Sequence, residues 1–397
     1  MDGTVIEAVF AEHYGRAVAS LIRVFGDIGL AEDAVQEAFA AAVLRWPVDG
    51  VPPSPAGWII TTARNRAVDR LRRDATRSGR HAEAALLHAD PDQRVDTFPD
   101  DRLRLIFTCC HPALAPTARV ALALKLLCGL STAEIARAFL VSESAMAQRL
   151  VRAKGKIRDA GIPYRVPADA ELPARLPAVL AVVYLMFTEG YSATALSRLV
   201  RTDLCAEAIR LGRLLTELMP GEPEVLRLLA LMLLTESRRA ARVDGEVLVP
   251  LAEQDRSRWD SALIAEGRAL VRECLRRNTP GPYQIQAAIN AVHTDGTATD
   301  WPQILTLYDH LYTLTPTPVV ALHRTVAVAE VHGPAALHDL AAIDLPGHHL
   351  YHAIHADLLR RIGRTADAAA AYDTAISLAT NDIERAHLQR HRTTLGH

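Results

Sequence analysis

Aromatic residues make up only 5% of this 397-residue sequence, and cysteine appears five times. So few cysteines in so long a chain do not make a disulfide framework, which points to a reducing cytoplasm. Long apolar runs are missing too. The longest, such as residues 176–187, fall short of a bilayer span. The first residues, MDGTVIEAVFAEHYGR, lack the basic and apolar blocks of a secretory leader. The sequence holds no glycine-rich phosphate loop and no nucleophile with a plausible base. An enzyme is therefore not expected, and no catalytic residue, cofactor or metal is assigned. Convincing runs of alternating apolar and polar residues are absent, while half the residues are hydrophobic in helical patterns. These features predict an all-α protein of two or three domains.

A strong charge of either sign is also lacking, since the formal net charge is −2. The charge is nevertheless uneven. Residues 1–165 hold 22 basic and 19 acidic side chains, a net of +3, and the remainder 22 and 27, a net of −5. All three lysines (Lys125, Lys154 and Lys156) lie in the first part. Nucleic-acid contact must then come from local clusters, not from a globally basic domain.

What is present is most informative at LSTAEIARAFLVSESAMAQRLVRAKGKIR, residues 130–158. Ser131 and Glu134 have capping-box spacing, and a first helix runs to Phe139. Ser142 offers a second N-cap before a longer helix that ends in a basic run. Met146, Leu150, Ala153 and Ile157 fall on one stripe, predicted to be buried. Ser144, Ala145, Gln148, Arg149, Arg152 and Lys156 gather on the opposite face. Small and amide side chains near the start with cations beyond suit a recognition helix, which meets base edges first and phosphates around them. The plainer alternative is an amphipathic hairpin with a solvated basic face. Leu140 stands where such turns usually carry glycine.

Upstream, helices are predicted over 5–25 and 30–46. The second carries Glu32, Asp33, Gln36 and Glu37 near its start, where acidic residues favour the helix dipole. A proline-rich loop at 47–55 follows, then a helix over 58–73. Five arginines (Arg64, Arg66, Arg70, Arg72 and Arg73) crowd ten of its residues beside Asn65 and Asp69, a composition suited to phosphate.

AEDAVQEAF, a loop, AGWIITTARNRAVDRLRR, a linker and PTARVALALKLLCGLSTAEIARAFLVSESAMAQRLVRAKGKIR occur in that order. Together they resemble bacterial sigma factors of the extracytoplasmic-function type, which keep only sigma regions 2 and 4. The resemblance covers about residues 5–162. It implies region 2 at 1–77, a linker at 78–100, region 4 at 101–162 and a second linker at 163–175. It also implies that Asp33, Gln36 and Glu37 dock on the β′ clamp helices of core RNA polymerase, with region 4 on the β flap. Arg64, Asn65, Arg66, Arg70 and Arg73 would serve the promoter −10 element, with the 47–55 loop as a pocket for a flipped base. Ser144, Ala145, Gln148, Arg149, Arg152 and Lys156 would read the −35 element. Arginine suits guanine and Gln148 suits adenine, each good contact discriminating by about 1–3 kcal/mol. The usual Thr-Val pair after the turn is Ala145-Met146 here, which bears on which −35 sequence is read.

Residues 176–397 continue well past such a minimal factor. Helices are predicted over 176–189, 203–219, 224–237, 260–276, 283–292, 301–313, 319–332 and 334–343, with two more at the end. The final pair resembles a tetratricopeptide repeat, with Ala356, Gly363, Ala368, Tyr372 and Ala375 at the positions for small residues, a turn glycine and an aromatic. A subgroup of extracytoplasmic-function sigma factors carries such a fused domain, which implies that it governs activity, through a protein or a small-molecule effector. Three local features read as structural. The charged run 253–260 around Trp259 reads as surface ion pairs, the alternative being a dock for the repeat domain on the sigma part. His348, His352 and His355 share a face that could hold a metal but read better as surface or interface histidines, and Cys109-Cys110-His111, a candidate redox or zinc element, reads better as buried thiols at a helix end. A helical scaffold for a peptide and an operator-binding repressor are the rival readings, and neither needs both the acidic patch and the arginine-rich helix.

Overall fold

The computed structural model describes residues 3–78, 101–139, 141–165, 171–193, 202–244, 247–277, 280–296, 298–379 and 381–395. The expected linker at 78–100 and the turn residue Leu140 lie almost wholly outside them. Nineteen α-helices and one two-residue strand pair occupy the described residues, so the chain is all-α. It divides into two compact units: Met1–Met186 with Thr202–Leu204, and Phe187–Arg201 with Cys205–His397.

The first unit begins with α1 (Gly3–Phe25), α2 (Ile28–Asp49) and α3 (Pro55–Ser78). Asp27 caps α2 by accepting the Leu30 amide at 2.8 Å, so the helix starts earlier than expected. It also ends later. Pro47 lies inside its last turn instead of opening the loop. Gly50, at φ 85°, closes the helix with its amide on the Trp46 carbonyl at 3.0 Å. Ser54 then accepts the Gly57 amide, and Pro55 occupies the first turn of α3, where no donor is needed. The arginine-rich helix is thus longer at both ends than the predicted 58–73. The three helices bury Tyr14, Val18, Ile22, Val35, Phe39 and Ile59, and Trp46 meets Trp58 edge to face at 5.5 Å.

Next come α4 (Asp101–Cys109), α5 (Pro116–Cys128), α6 (Thr132–Ala138) and α7 (Glu143–Asp159). α4 and α5 pack on α1, and Lys125 of α5 and Lys154 of α7 reach Glu32 of α2. Gly15 on α1 lies so close to α5 that a Cβ there would overlap the Leu127 carbonyl. Gly129, at φ 67°, ends α5 beneath the rings of Phe10 and Tyr14. The Tyr164 hydroxyl sits 2.9 Å from both the Ala19 and Asp101 carbonyls, and burial there pushes its pKa up. Cys109 and Cys110 are buried, and burial pushes the Cys110 thiol up to about 12.

The division between the units falls within α8 (Leu172–Ala193). The second unit continues with α9 (Thr202–Leu218), α10 (Pro223–Glu236), α11 (Arg239–Arg242) and the strands β1 (Val243–Asp244) and β2 (Val247–Leu248). α12 (Ser261–Arg276), α13 (Pro282–His293), α14 (Trp301–Leu314) and α15 (Pro318–His332) follow. The helix expected over 334–343 is a 3₁₀ turn at Gly333–Ala335 leading into α16 (Ala336–Ala341). The chain then forms three final helices where two were expected: α17 (His349–Arg361), α18 (Thr365–Leu378) and α19 (Asp382–Thr394). Asn381 caps the third by accepting the Ile383 and Glu384 amides.

α10 is buried on every side from Val225 to Leu234, which fits a central helix and explains why its sequence shows little amphipathic contrast. Ala356, Ala368, Tyr372 and Ala375 are buried together, and Gly363 turns the chain between α17 and α18 at φ 77°. The 253–260 run is a local staple in this unit. Trp259 is buried under the Arg256 guanidinium, 4.9 Å from the ring centre, and Arg256 Nη1 donates to the Gly296 carbonyl at 2.6 Å.

Candidate polymerase and promoter interface

The helix-turn-helix is built by local hydrogen bonds. The Glu134 carboxylate accepts from the Ser131 amide at 2.9 Å and from its hydroxyl at 2.8 Å, while Ser131 Oγ accepts the Glu134 amide at 3.2 Å. Ser142 caps α7 by accepting the Ala145 amide at 3.3 Å. Met146, Leu150, Ala153 and Ile157 are the buried residues of α7, as their spacing required. That anchoring turns Ser144, Ala145, Gln148, Arg152 and Lys156 to solvent, with Arg149 half-buried at the edge. Arg152 Nε donates to the Gln148 carbonyl at 3.3 Å, one turn back.

A second polar face spans α2 and α3. Arg70 Nη1 donates to Asp33 at 2.7 Å, and Arg66 Nη1 to Glu37 at 3.2 Å. All four side chains remain 42–49% exposed. Acids and arginines that sequence reasoning assigned to separate tasks therefore lie side by side and pair. Such exposed pairs contribute about 0–1 kcal/mol, so a macromolecular partner can replace them at small cost. Asn65 and Arg73 are exposed on α3, with Arg73 Nε on the Asp69 carbonyl at 3.3 Å, and Arg64 is half-buried.

Between these faces lies a residue that sequence reasoning placed in the acidic patch at the start of the second helix. Glu32 is only 4% exposed. Lys154 of α7 bonds its carboxylate directly, Lys125 of α5 lies 3.7 Å away, and Gln36 Nε2 donates to it at 3.3 Å. Two of the chain's three lysines converge on one buried carboxylate and tie α2 to α5 and α7. Gln36 is exposed but directs its amide inward to Glu32, whereas Asp33 and Glu37 pair across to α3. A signal was available in the sequence: where nearly every cation is arginine, an isolated lysine marks a site that suits a compact point charge.

Comparisons with known proteins agree with this geometry. Residues 9–77 match the sigma-70 region 2 family and residues 104–157 the sigma-70 region 4 family. Residues 175–275 match a family of unknown function, DUF6596. An uncharacterized protein of Rhizobium meliloti (strain 1021) is 44% identical over 94% of this chain and 92% of its own length. The probable ECF RNA polymerase sigma factor SigI of Mycobacterium tuberculosis is 32% identical over 47% of this chain and 63% of its own. The ECF RNA polymerase sigma factor SigK of Mycobacterium bovis (strain BCG / Pasteur 1173P2) is 30% identical over 39% of this chain and 82% of its own. No solved structure matches the chain. With both sigma regions in order, each on its own packed helices, and a relative of this kind matched over most of its length, the chain belongs to the extracytoplasmic-function (ECF) RNA polymerase sigma factors.

Proposed function

We propose that the chain acts in the cytoplasm as a promoter-specific, non-enzymatic subunit of RNA polymerase whose C-terminal helical domain controls its activity. Region 2, over residues 1–77, docks on the β′ clamp helices through Asp33, Gln36 and Glu37. Arg64, Asn65, Arg66, Arg70 and Arg73 hold the −10 strand, and the loop before α3 receives a flipped base. Region 4, over residues 101–162, binds the β flap and reads the −35 element with Ser144, Ala145, Gln148, Arg149, Arg152 and Lys156. Segments 78–100 and 163–175 connect the parts, and residues 176–397 form a tetratricopeptide-like regulatory domain that answers a protein or small-molecule effector.

The observation that carries the DNA-reading part is the outward face of α7, polar and cationic along a helix whose other face is wholly buried. The repeat reading is supported by the buried small residues and Tyr372 of the α17–α18 hairpin. No helix among the described residues is long and apolar enough to cross a membrane. The direct test is fluorescence anisotropy of promoter fragments with core polymerase loaded with this chain. Arg152→Ala and Arg149→Ala are expected to weaken binding by about 1–3 kcal/mol and relax the preference at one base pair each. Lys156→Ala is expected to weaken all sequences alike and lower the salt slope by about one. Equal binding by wild type and all three variants would dismiss α7 as the reading helix.

A further inference from the structure

The C-terminal unit holds a cavity of about 470 Å³, within the roughly 300–1,000 Å³ of small-molecule sites. One wall is apolar, formed by Val326 and Ala329 of α15, Ala353 and Ile354 of α17, and Leu388 of α19. The polar lining is charged with one sign. Glu253, Glu330, Asp357 and Glu384 bring four carboxylates, whereas Arg361 is the one lysine or arginine among the described lining residues. Arg361 is already engaged, with Nη2 on Glu330 at 2.6 Å and Nε on Asp357 at 2.7 Å. Glu384 faces His349 at 3.3 Å, and His349 together with the charge of Arg242 holds its carboxyl below the usual range.

Aromatic rings complete the lining. Tyr372 and His391 stack with centroids 6.2 Å apart, and His387 meets His391 edge on at 4.5 Å. Burial keeps His387 below the ordinary histidine range, so it presents a neutral ring. An anion entering this cavity meets a surplus of carboxylate and no unpaired arginine. A cation meets the reverse: unbalanced carboxylates and π faces, both attractive.

We propose that this cavity binds a small organic cation, a protonated amine or quaternary ammonium with an apolar body. The body packs between α15 and α17, and the ammonium lies toward Glu384, Glu253 and the imidazole rings. Nucleotides, phosphates and fatty acids carry the wrong charge for it. A signalling role for the ligand rests on the regulatory reading above. Binding itself does not, because it is measured without polymerase or DNA, so either claim can fail alone.

The test is isothermal titration calorimetry on the full chain with 4-phenylbutylamine, tryptamine and benzyltrimethylammonium. 4-Phenylbutanoate serves as the anionic counterpart, and a leucine- and lysine-rich peptide as the macromolecular one. At least one of the cations is expected to bind at one site per chain, about tenfold or more tighter than the carboxylate. Glu384→Gln is expected to weaken the amine about fivefold or more, and Ala353→Trp to abolish its binding by filling the cavity, with helical circular dichroism unchanged. Should Ala353→Trp misfold, Ala329→Phe fills the same space from another helix. Equal binding of amine and carboxylate, no saturable cation binding, or undiminished affinity in the filled cavity would each overturn the proposal. Binding of the peptide without any of the three cations would replace it with a peptide groove.

Discussion

In the N-terminal unit, helices of the two sigma regions meet across a buried carboxylate, Glu32, and the ammonium groups of Lys125 and Lys154. In the C-terminal unit, α17, α18 and α19 meet across Ala356, Ala368, Tyr372, Ala375 and Leu388. The two joints respond to different forces. An apolar joint depends on volume and is indifferent to salt, whereas a charged joint depends on keeping every partner. Lys154 also lies on the helix that carries the proposed base-reading side chains.

Four changes would sharpen or break this contrast. The largest effect is expected at the apolar joint. Tyr372→Ala empties a volume walled by alanines that cannot close it, at about 3–5 kcal/mol, read as an earlier urea transition of the C-terminal unit. Glu32→Ala comes next. It leaves two lysines facing each other without a carboxylate, at about 2–3 kcal/mol given that the Lys154 side chain is 27% exposed. Glu32→Ala with Lys125→Met and Lys154→Met should recover most of that loss. If the triple variant is no more stable than the single one, the charge account of this joint is wrong.

Acid should separate the units at a similar or smaller magnitude. Burial lowers His293 from 6.5 to about 4, and also lowers His323, His348, His355 and His387 in the same unit, against His111 in the other. A histidine neutral in the fold but titrating near 6.5 when unfolded lets the unfolded chain take up the proton first. Stability is then full above pH 6.5 and falls as pH drops toward 4. For His293 alone the loss is about 2 kcal/mol by pH 5. Urea melts at pH 7 and pH 5 are expected to show the C-terminal transition moving more, with His293→Phe flattening the change. The smallest stability effect is expected at Asp33→Ala, about 0.5 kcal/mol or less, since its pair with Arg70 is exposed. Its affinity for core polymerase should nevertheless fall, which a co-elution assay reads directly.

The helix-turn-helix was legible because its signals are short-range. A capping box, an N-cap and a stripe of four apolar residues all lie within 27 residues of one another and came out as read. The burial of Glu32 was not legible for the opposite reason, as its partner Lys154 lies 122 residues away and no periodicity links them. The same limit hid the pairing of Asp33 and Glu37 with Arg70 and Arg66, since each residue alone reads as a solvated helix charge. Pro47 was assigned to a loop because proline usually ends helices, yet the helix runs on through it to Asp49. α19 was the third of three closing helices, polar enough that its buried contact rests largely on Leu388, and a weak stripe of that kind is easily passed over. The cavity could not be read at all, because its lining comes from segments between residues 248 and 391 that only the fold assembles.

The most direct measurement is run-off transcription with purified core polymerase, the full chain and a genomic promoter library. Wild type is expected to yield promoter-specific transcripts. Arg149→Ala with Arg152→Ala should lose or shift them while still binding core, and Asp33→Ala with Glu37→Ala should lose them through weaker core binding. A wild-type chain that neither binds core polymerase nor yields a promoter-specific transcript would contradict the assignment of both surfaces.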